Sequence, residues 1–274
     1  MKLRYFLTIF FVCTIICLHA QQPADEMIAA EKKFAATSKD LSTKKAFLSF
    51  VDTNCVGFNK EKQLNVFEEW TGYGEDSTKL TWAPEIAIMS ASGTMGVTSG
   101  PWEFREKRIT DTVKYHGHFA TVWRKRNDGI WKAALDIGID YSETIINSSE
   151  VQKTVLAEKI KLTENQSSLL EIDKNFSEAM HSSKVAAMQS LADKNAWLCI
   201  EGNAPLKNQA AILQHLDLIA EDISFEPKGY LLAASNDLLT IYGTAYKAGN
   251  ATASYIRVYK NESGKWKLAL MMVN

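Results

Sequence analysis

Apolar residues recur at helical spacing near the start of the chain, at Met27, Ala30 and Phe34 and again at Ala46, Phe47 and Phe50. The same spacing returns far downstream, at Leu169, Ile172 and Phe176 and then Val185, Met188 and Leu191. Each pair of helices predicts a short strand behind it, Cys55 to Phe58 or Ala196 to Ile200. A third helix is expected over Lys60 to Trp70 in one case and over Leu206 to Ile219 in the other, where Pro205 suits a helix start. Four segments rich in aromatic and β-branched residues then follow, cut by turn signals. Ser92-Gly93 and Ser235-Asn236-Asp237 mark one turn, and Asn127-Asp128-Gly129 and Glu262-Ser263-Gly264 mark another.

The repetition extends to residues. Gly129-Ile130-Trp131-Lys132-Ala133-Ala134-Leu135 returns as Gly264-Lys265-Trp266-Lys267-Leu268-Ala269-Leu270. Leu80-Thr81-Trp82-Ala83-Pro84 matches Ile223-Ser224-Phe225-Glu226-Pro227, with Gly100 and Gly243 at the same further spacing. Matches in one order argue for two diverged copies of a single domain. Helices first and antiparallel strands afterwards make each copy α+β. Residues 21–140 form the first copy, the polar stretch 141–163 reads as a linker, and residues 164–274 form the second.

Lys2 and Arg4 precede an apolar run from Tyr5 to Leu18, and Ala20 stands before Gln21-Gln22. This reads as a cleavable signal over residues 1–20, the run being short of the about 20 apolar residues that span a bilayer. The expected location is secreted or periplasmic, with no membrane attachment after cleavage. The chain has 31 basic and 32 acidic residues. Loss of Lys2 and Arg4 leaves 29 against 32, a charge of −3 that argues against a nucleic-acid partner. Only Cys55 and Cys199 then remain, too few for a disulfide scaffold, and free buried thiols are expected.

The order helix, helix, strand, helix, then strands closing on Gly-x-Trp-Lys resembles the nuclear transport factor 2-like superfamily, nearest its SnoaL-like and domain of unknown function 4440 branch. The residues carrying the resemblance are Tyr115 to Arg126 with Trp123-Arg124-Lys125, the Asn-Asp-Gly turn, Trp131-Lys132 with Asp136, and the Gly93, Gly96, Gly100, Trp102 segment. It implies two tandem cone-shaped domains, each with helices packed on a curved antiparallel sheet around an apolar pocket. Members include isomerases, cyclases and dehydratases and many domains without chemistry.

Asp136 is the one carboxylate within the apolar closing strand of the first copy, where the second has Met271, and it is the candidate catalytic base. Strand parity groups it with Lys132 and Ala134, opposite Trp131, Ala133, Leu135 and Ile137. Without a bulge it therefore faces away from the core, toward solvent or the other domain. His116 and His118 share a strand face in the geometry of two metal ligands, a third having to come from Asp136 or Asp111; the plainer reading is a hydrated face with Arg124 and Arg126. No metal and no cofactor is expected. Trp82, Trp102, Tyr115, His116, His118 and Trp123 are the candidate ligand-binding residues, with Tyr73, Asp52 and Asn54 at the mouth. Asp52 and Asn54 recur as Asp193 and Asn195, which favours a shared turn.

No complete catalytic constellation is visible, so the favoured function is a non-catalytic module that binds a small apolar molecule or a protein. The alternative is a lyase or isomerase working in the first pocket. The last strand of the second copy is apolar on both faces, Leu268, Leu270 and Met272 against Ala269, Met271 and Val273. One face needs cover, from the first copy's sheet within the chain, from the linker, or from a second molecule in a homodimer. The signal reading predicts that N-terminal sequencing of exported protein begins at or next to Gln21; an intact Met1 form in the membrane fraction contradicts it.

Overall fold

A computed structural model describes residues 3–74, 77–142, 150–157, 160 and 166–274. The first half opens with α1 (Leu3–Asp40) and α2 (Thr43–Phe50), followed by β1 (Val51–Asn59), β2 (Lys62–Asn65) and α3 (Val66–Gly72). Strands β3 (Lys79–Trp82), β4 (Ile86–Met89), β5 (Met95–Arg105), β6 (Tyr115–Lys125), β7 (Trp131–Asp140) and β8 (Gln152–Val155) complete it. The second half runs α4 (Gln166–Ser182), α5 (Lys184–Leu191), β9 (Ala192–Ile200) and α6 (Gln209–Gln214). It ends in β10 (Ile223–Leu232), β11 (Leu238–Lys247), β12 (Asn250–Glu262) and β13 (Lys265–Val273). The chain is thus α+β, with two mixed sheets. Side chains of α1 are described from Gln22 onward. No helix among the described residues is long and apolar enough to cross a membrane.

The sheets share a plan. One runs β2-β1-β7-β6-β5-β4-β8 with β3 also on β5, and the other runs β10-β11-β12-β13-β9. In each, the strand after the first two helices lies parallel beside the closing strand, while the long strands pair antiparallel. Both parallel strands begin with an irregular step, held by Asp52 Oδ1 accepting from the Asn54 amide at 3.1 Å and Asp193 Oδ1 accepting from the Asn195 amide at 2.9 Å. The recurring Asp-x-Asn is this turn. The recurring glycines also have a steric cause. A Cβ on Gly100 would stand 2.0 Å from the Ala83 carbonyl oxygen, and one on Gly243 would stand 2.1 Å from that of Glu226.

Two expected elements differ. The third helix is shorter in both halves, because Asn65 and Asn208 cap later starts by accepting from Phe67, Glu68 and Ala211 amides. Residues ahead of Asn65 form β2 instead, and Leu206, next to Pro205, pairs with Leu198. The expected linker is also more than a tether. Residues 152–155 are β8, parallel to β4 at the edge of the first sheet, and residues 143–149, 158–159 and 161–163 lie outside the described ones.

Three apolar clusters build the molecule in layers. Helices α1 and α2 pack on the first sheet through Met27, Phe34, Phe47 and Trp123. Helices α4 and α5 pack on the second through Phe176, Met188, Tyr255 and Met271. The third cluster lies between the sheets, where Val97, Val122, Leu135, Ile137 and Ile139 meet Trp197, Val258, Leu270 and Met272. Equivalent turns of the halves also bond to each other, the Ala91 amide donating to Asp237 Oδ2 at 2.7 Å and the Ser92 amide to Ser235 Oγ at 3.0 Å. Free Cys55 and Cys199 are buried.

Both closing strands bulge at equivalent places. Trp123 pairs with Ala133 but Val122 pairs with Leu135, so Ala134 is an extra residue; Tyr259 pairs with Leu268 but Val258 pairs with Leu270, so Ala269 is another. An extra residue reverses the parity beyond it. Trp131 and Ala133 therefore face the helices while Leu135, Ile137 and Ile139 face the second sheet. In the second half Leu270 and Met272 turn to the first sheet, and Met271 turns to its own helices. Leu135, fully buried between the sheets, is the test of this layer. Leu135→Ala should cost about 3 kcal/mol in urea unfolding. A loss below about 1 kcal/mol would mean that the sheets are not tightly packed there.

Candidate functional site

The bulge puts Asp136 on the helix side of the first sheet, against the parity that uninterrupted alternation gives. It opens into a cavity of about 410 Å³ between α1, α2 and the sheet. The walls are rings, Phe34, Phe47, Trp82, Trp102, Phe104, Tyr115 and Phe119, with Thr121 and Asp136 at the floor and Asp140 near the edge. Thr121 Oγ1, opposite Asp136 in the ladder, donates to Asp136 Oδ1 at 2.6 Å. Desolvation pushes the Asp136 carboxyl up to about 7, opposed by the Thr121 hydrogen bond and aided by repulsion from Glu31. Its side chain keeps some accessible area because the cavity exposes it, but rings and strand backbone surround that opening.

Beneath this floor lies a carboxylate that the sequence reading did not single out. Glu31 of α1 is fully buried. Its Oε1 accepts from Trp82 Nε1 at 2.6 Å, and its Oε2 accepts from Thr98 Oγ1 at 2.5 Å and Trp123 Nε1 at 3.0 Å. Burial raises its pKa, and those three hydrogen bonds oppose the rise. The signal was present: Glu31 lies four residues after Met27 and three before Phe34, on the apolar stripe of the helix.

Of the expected ligand-binding residues, Trp82, Trp102 and Tyr115 line the cavity together with Asp136. The other three do not. Trp123 is fully buried under the sheet and holds Glu31. His118 packs in the layer between the sheets, stacked on Trp197 with ring centroids 5.6 Å apart. Burial pushes it down to about 3, Lys207 adding to the effect, and neither ring nitrogen has a hydrogen-bond partner. His116 sits edge-on to Tyr141 at 5.8 Å. The hydrated His-x-His face is therefore corrected at His118, which Trp197 of the second half covers, while His116 is half-buried and Arg124 and Arg126 are exposed. Among the described residues no group of three His, Cys, Asp or Glu is placed to hold a metal ion. Tyr73 lies at a second cavity, described below, and Asp52 and Asn54 border a separate groove with Arg124 and Lys132.

The corresponding region of the second half is filled. Arg257 faces Met271 in the ladder as Thr121 faces Asp136, and it is fully buried. Its guanidinium lies 4.2 Å from the Phe225 ring centroid and 4.8 Å from that of Phe176. It donates to Asp173 Oδ1 at 3.1 Å and to Ser177 Oγ at 2.7 Å, and Asp173 also accepts from Tyr255 and Tyr259 hydroxyls at 2.6 and 2.8 Å.

No family model matches the chain, and no curated protein does. Solved structures do. A nuclear transport factor 2-like protein from Cytophaga hutchinsonii is 16% identical, with 40% of this chain and 98% of that one covered and a TM-score of 0.32. A second such protein, of unknown function, from Shewanella oneidensis is 14% identical over 39% of this chain and 96% of its own, with a TM-score of 0.32. A de novo designed protein with a curved β-sheet is 8% identical over 38% and 98%, with a TM-score of 0.33.

A raised carboxyl pKa links stability to pH. Folding favours the protonated form of Asp136, so the associated stability is complete below the ordinary carboxylate range and is lost as pH rises toward about 7. Asp136→Asn removes the dependence. The variant should gain about 2–4 kcal/mol on the wild type between pH 4 and pH 8 in urea titrations. Curves that stay parallel across that range would show that Asp136 is not desolvated.

Proposed function

We propose that each half is a nuclear transport factor 2-like domain, and that the first half binds a small, flat, largely apolar molecule bearing one polar group. The reading includes export through the N-terminal signal. The observation that carries it is the aromatic cavity with a single desolvated carboxylate on its floor. Ring walls suit a flat apolar body, and one polar group in such a wall fixes orientation. With its pKa near neutrality, Asp136 can donate a hydrogen bond to the ligand when protonated and accept one when ionised.

A second reading, isomerase or lyase chemistry, is favoured by that same carboxyl. A base works best with a pKa near the ambient pH, and the Thr121 hydrogen bond on Oδ1 fixes the carboxyl plane. Asp136 would take a proton from a carbon next to a carbonyl and return one to the same or a neighbouring carbon.

The probe β-tetralone, a flat bicyclic ketone, tests both. Quenching of tryptophan fluorescence should report binding by wild type and a loss of about ten-fold in affinity for Trp102→Ala, whose ring is a wall. Equal affinity for both proteins would overturn the binding site. Proton NMR in deuterated water separates the two readings. Accelerated exchange of the α-protons, rising with pH through about 7 and abolished in Asp136→Asn, supports catalysis. Binding without acceleration leaves a receptor.

A further inference from the structure

A second cavity of about 650 Å³ adjoins the first and shares Phe47, Asp136, Ile137, Gly138 and Asp140 with it. The second half supplies part of its wall, through Glu201, Thr252 and Asn274. The chemistry of this outer chamber differs from that of the inner one. Besides the shared Asp136, Glu69, Asp140 and Glu201 line it against one cation, Lys60, and among the described residues none of these last four is in a salt bridge. The Asp140 backbone amide donates to Glu201 Oε2 at 2.9 Å, and the Asp140 charge repels that carboxylate. Partial burial raises both of their pKa values, opposed at Asp140 by His116 and at Glu201 by the Asp140 amide and Lys60.

Gly138 marks the passage between the chambers. It has no left-handed φ, and a Cβ there would meet only Trp102 Nε1 at 3.5 Å and the His118 carbonyl at 3.6 Å, both ordinary contacts. Neither the backbone nor the packing requires glycine at this place in a strand, where glycine lowers stability. Its effect is to leave the floor open between Asp136 and Asp140. A row of rings follows the same path, Phe34 to Phe47 at 4.9 Å, Phe47 stacked on Trp70 at 4.5 Å, and Trp70 to Tyr73 at 5.2 Å.

Building on the ligand site proposed above, we infer that the two chambers form one site across both halves for a two-part molecule, with its flat apolar body in the inner chamber and a positively charged amine in the outer one. The excess of acids over cations at the outer chamber selects the charge, and the Trp70 and Tyr73 rings offer it aromatic faces. Glu201 is the residue that sets this preference. It lines the outer chamber and not the inner, and it comes from the half that has no open cavity of this kind among the described residues.

Calorimetric titration of the full chain with naphthalene, naphthylethylamine, naphthylethanol and naphthylpropionate tests the inference. The amine should bind about ten-fold tighter than the alcohol, and the carboxylate weakest of the four. Glu201→Gln keeps an acceptor for the Asp140 amide, and its melting curve checks folding; it should cut the amine's advantage to about two-fold and leave naphthalene unchanged. Gly138→Leu should weaken the amine about ten-fold more than naphthalene, because only the longer molecule crosses the passage. Naphthalene binding with no preference for the amine, or a preference that survives Glu201→Gln, overturns the inference and leaves the inner site standing. Equal weakening of both ligands by Gly138→Leu overturns the passage. No binding of naphthalene overturns this inference together with the reading beneath it.

Discussion

Each closing strand has to serve two apolar layers, one against helices and one against the other sheet, and the extra residue at Ala134 fixes which side chain goes to which. A strict two-residue alternation would leave Leu135 and Ile137 on the helix side with Trp131 and Ala133. The layer between the sheets would then receive Asp136, Gly138 and Asp140, and two carboxyl groups would meet Val258 and Leu270 with nothing to bond. With the bulge, apolar side chains fill that layer and the carboxyl reaches Thr121 instead. Packing of the halves and exposure of Asp136 to the cavity are thus one decision. Either could not be changed alone.

The two halves answer the same problem of a helix-borne carboxylate under a sheet with different chemistry. Glu31 is held by two indole N–H groups and a hydroxyl, all neutral, so no cation beside it offsets a negative charge, and repulsion from it helps raise the Asp136 carboxyl. Asp173 is held by two tyrosine hydroxyls and the Arg257 guanidinium, which offsets the charge at the site. Replacing one partner of such a buried pair leaves the other charge unmet, so the pair is fixed once formed. The long Arg257 side chain that makes this possible also occupies the space that Thr121, being short, leaves open. Charge balance and cavity volume are therefore coupled through one ladder position.

Much of this plan is legible in the chain itself. The turns, the paired Asp-x-Asn motifs, and Gly100 with Gly243 repeat because backbone geometry demands particular residues there, and such demands survive in sequence. The apolar faces of β13 likewise announce a second layer to be covered. The bulges are not legible, since Ala134 and Ala269 are as suited to an ordinary strand as to an extra residue, and what selects the bulge is the sum of contacts on both faces. Trp123, His116 and His118 were misplaced for the same reason. A strand pattern assigns residues to faces, but only the partner layer says whether a face is wet, packed or open. Glu31 is a different case, because its place on the apolar stripe of α1 could be read, while its partners, between 51 and 92 residues away, could not.

An open aromatic cavity with a desolvated acid is a local cost in stability, since its rings forgo burial and its carboxyl forgoes water. The layer between the sheets offsets that cost at no expense to the cavity, because the two share β7 but use opposite faces of it. The second half adds its own filled core around Arg257 and presents a rigid wall to the first. Glu201 and Asn274 belong to that wall, at the ends of β9 and β13, and the Gly202 amide donates to the Asp140 carbonyl at 2.8 Å to hold it in register with the cavity. A half whose own core is filled around Arg257 can serve the other in this way only if it is stiff and correctly placed. Both properties follow from the apolar residues that the bulge at Ala269 turns toward the first sheet.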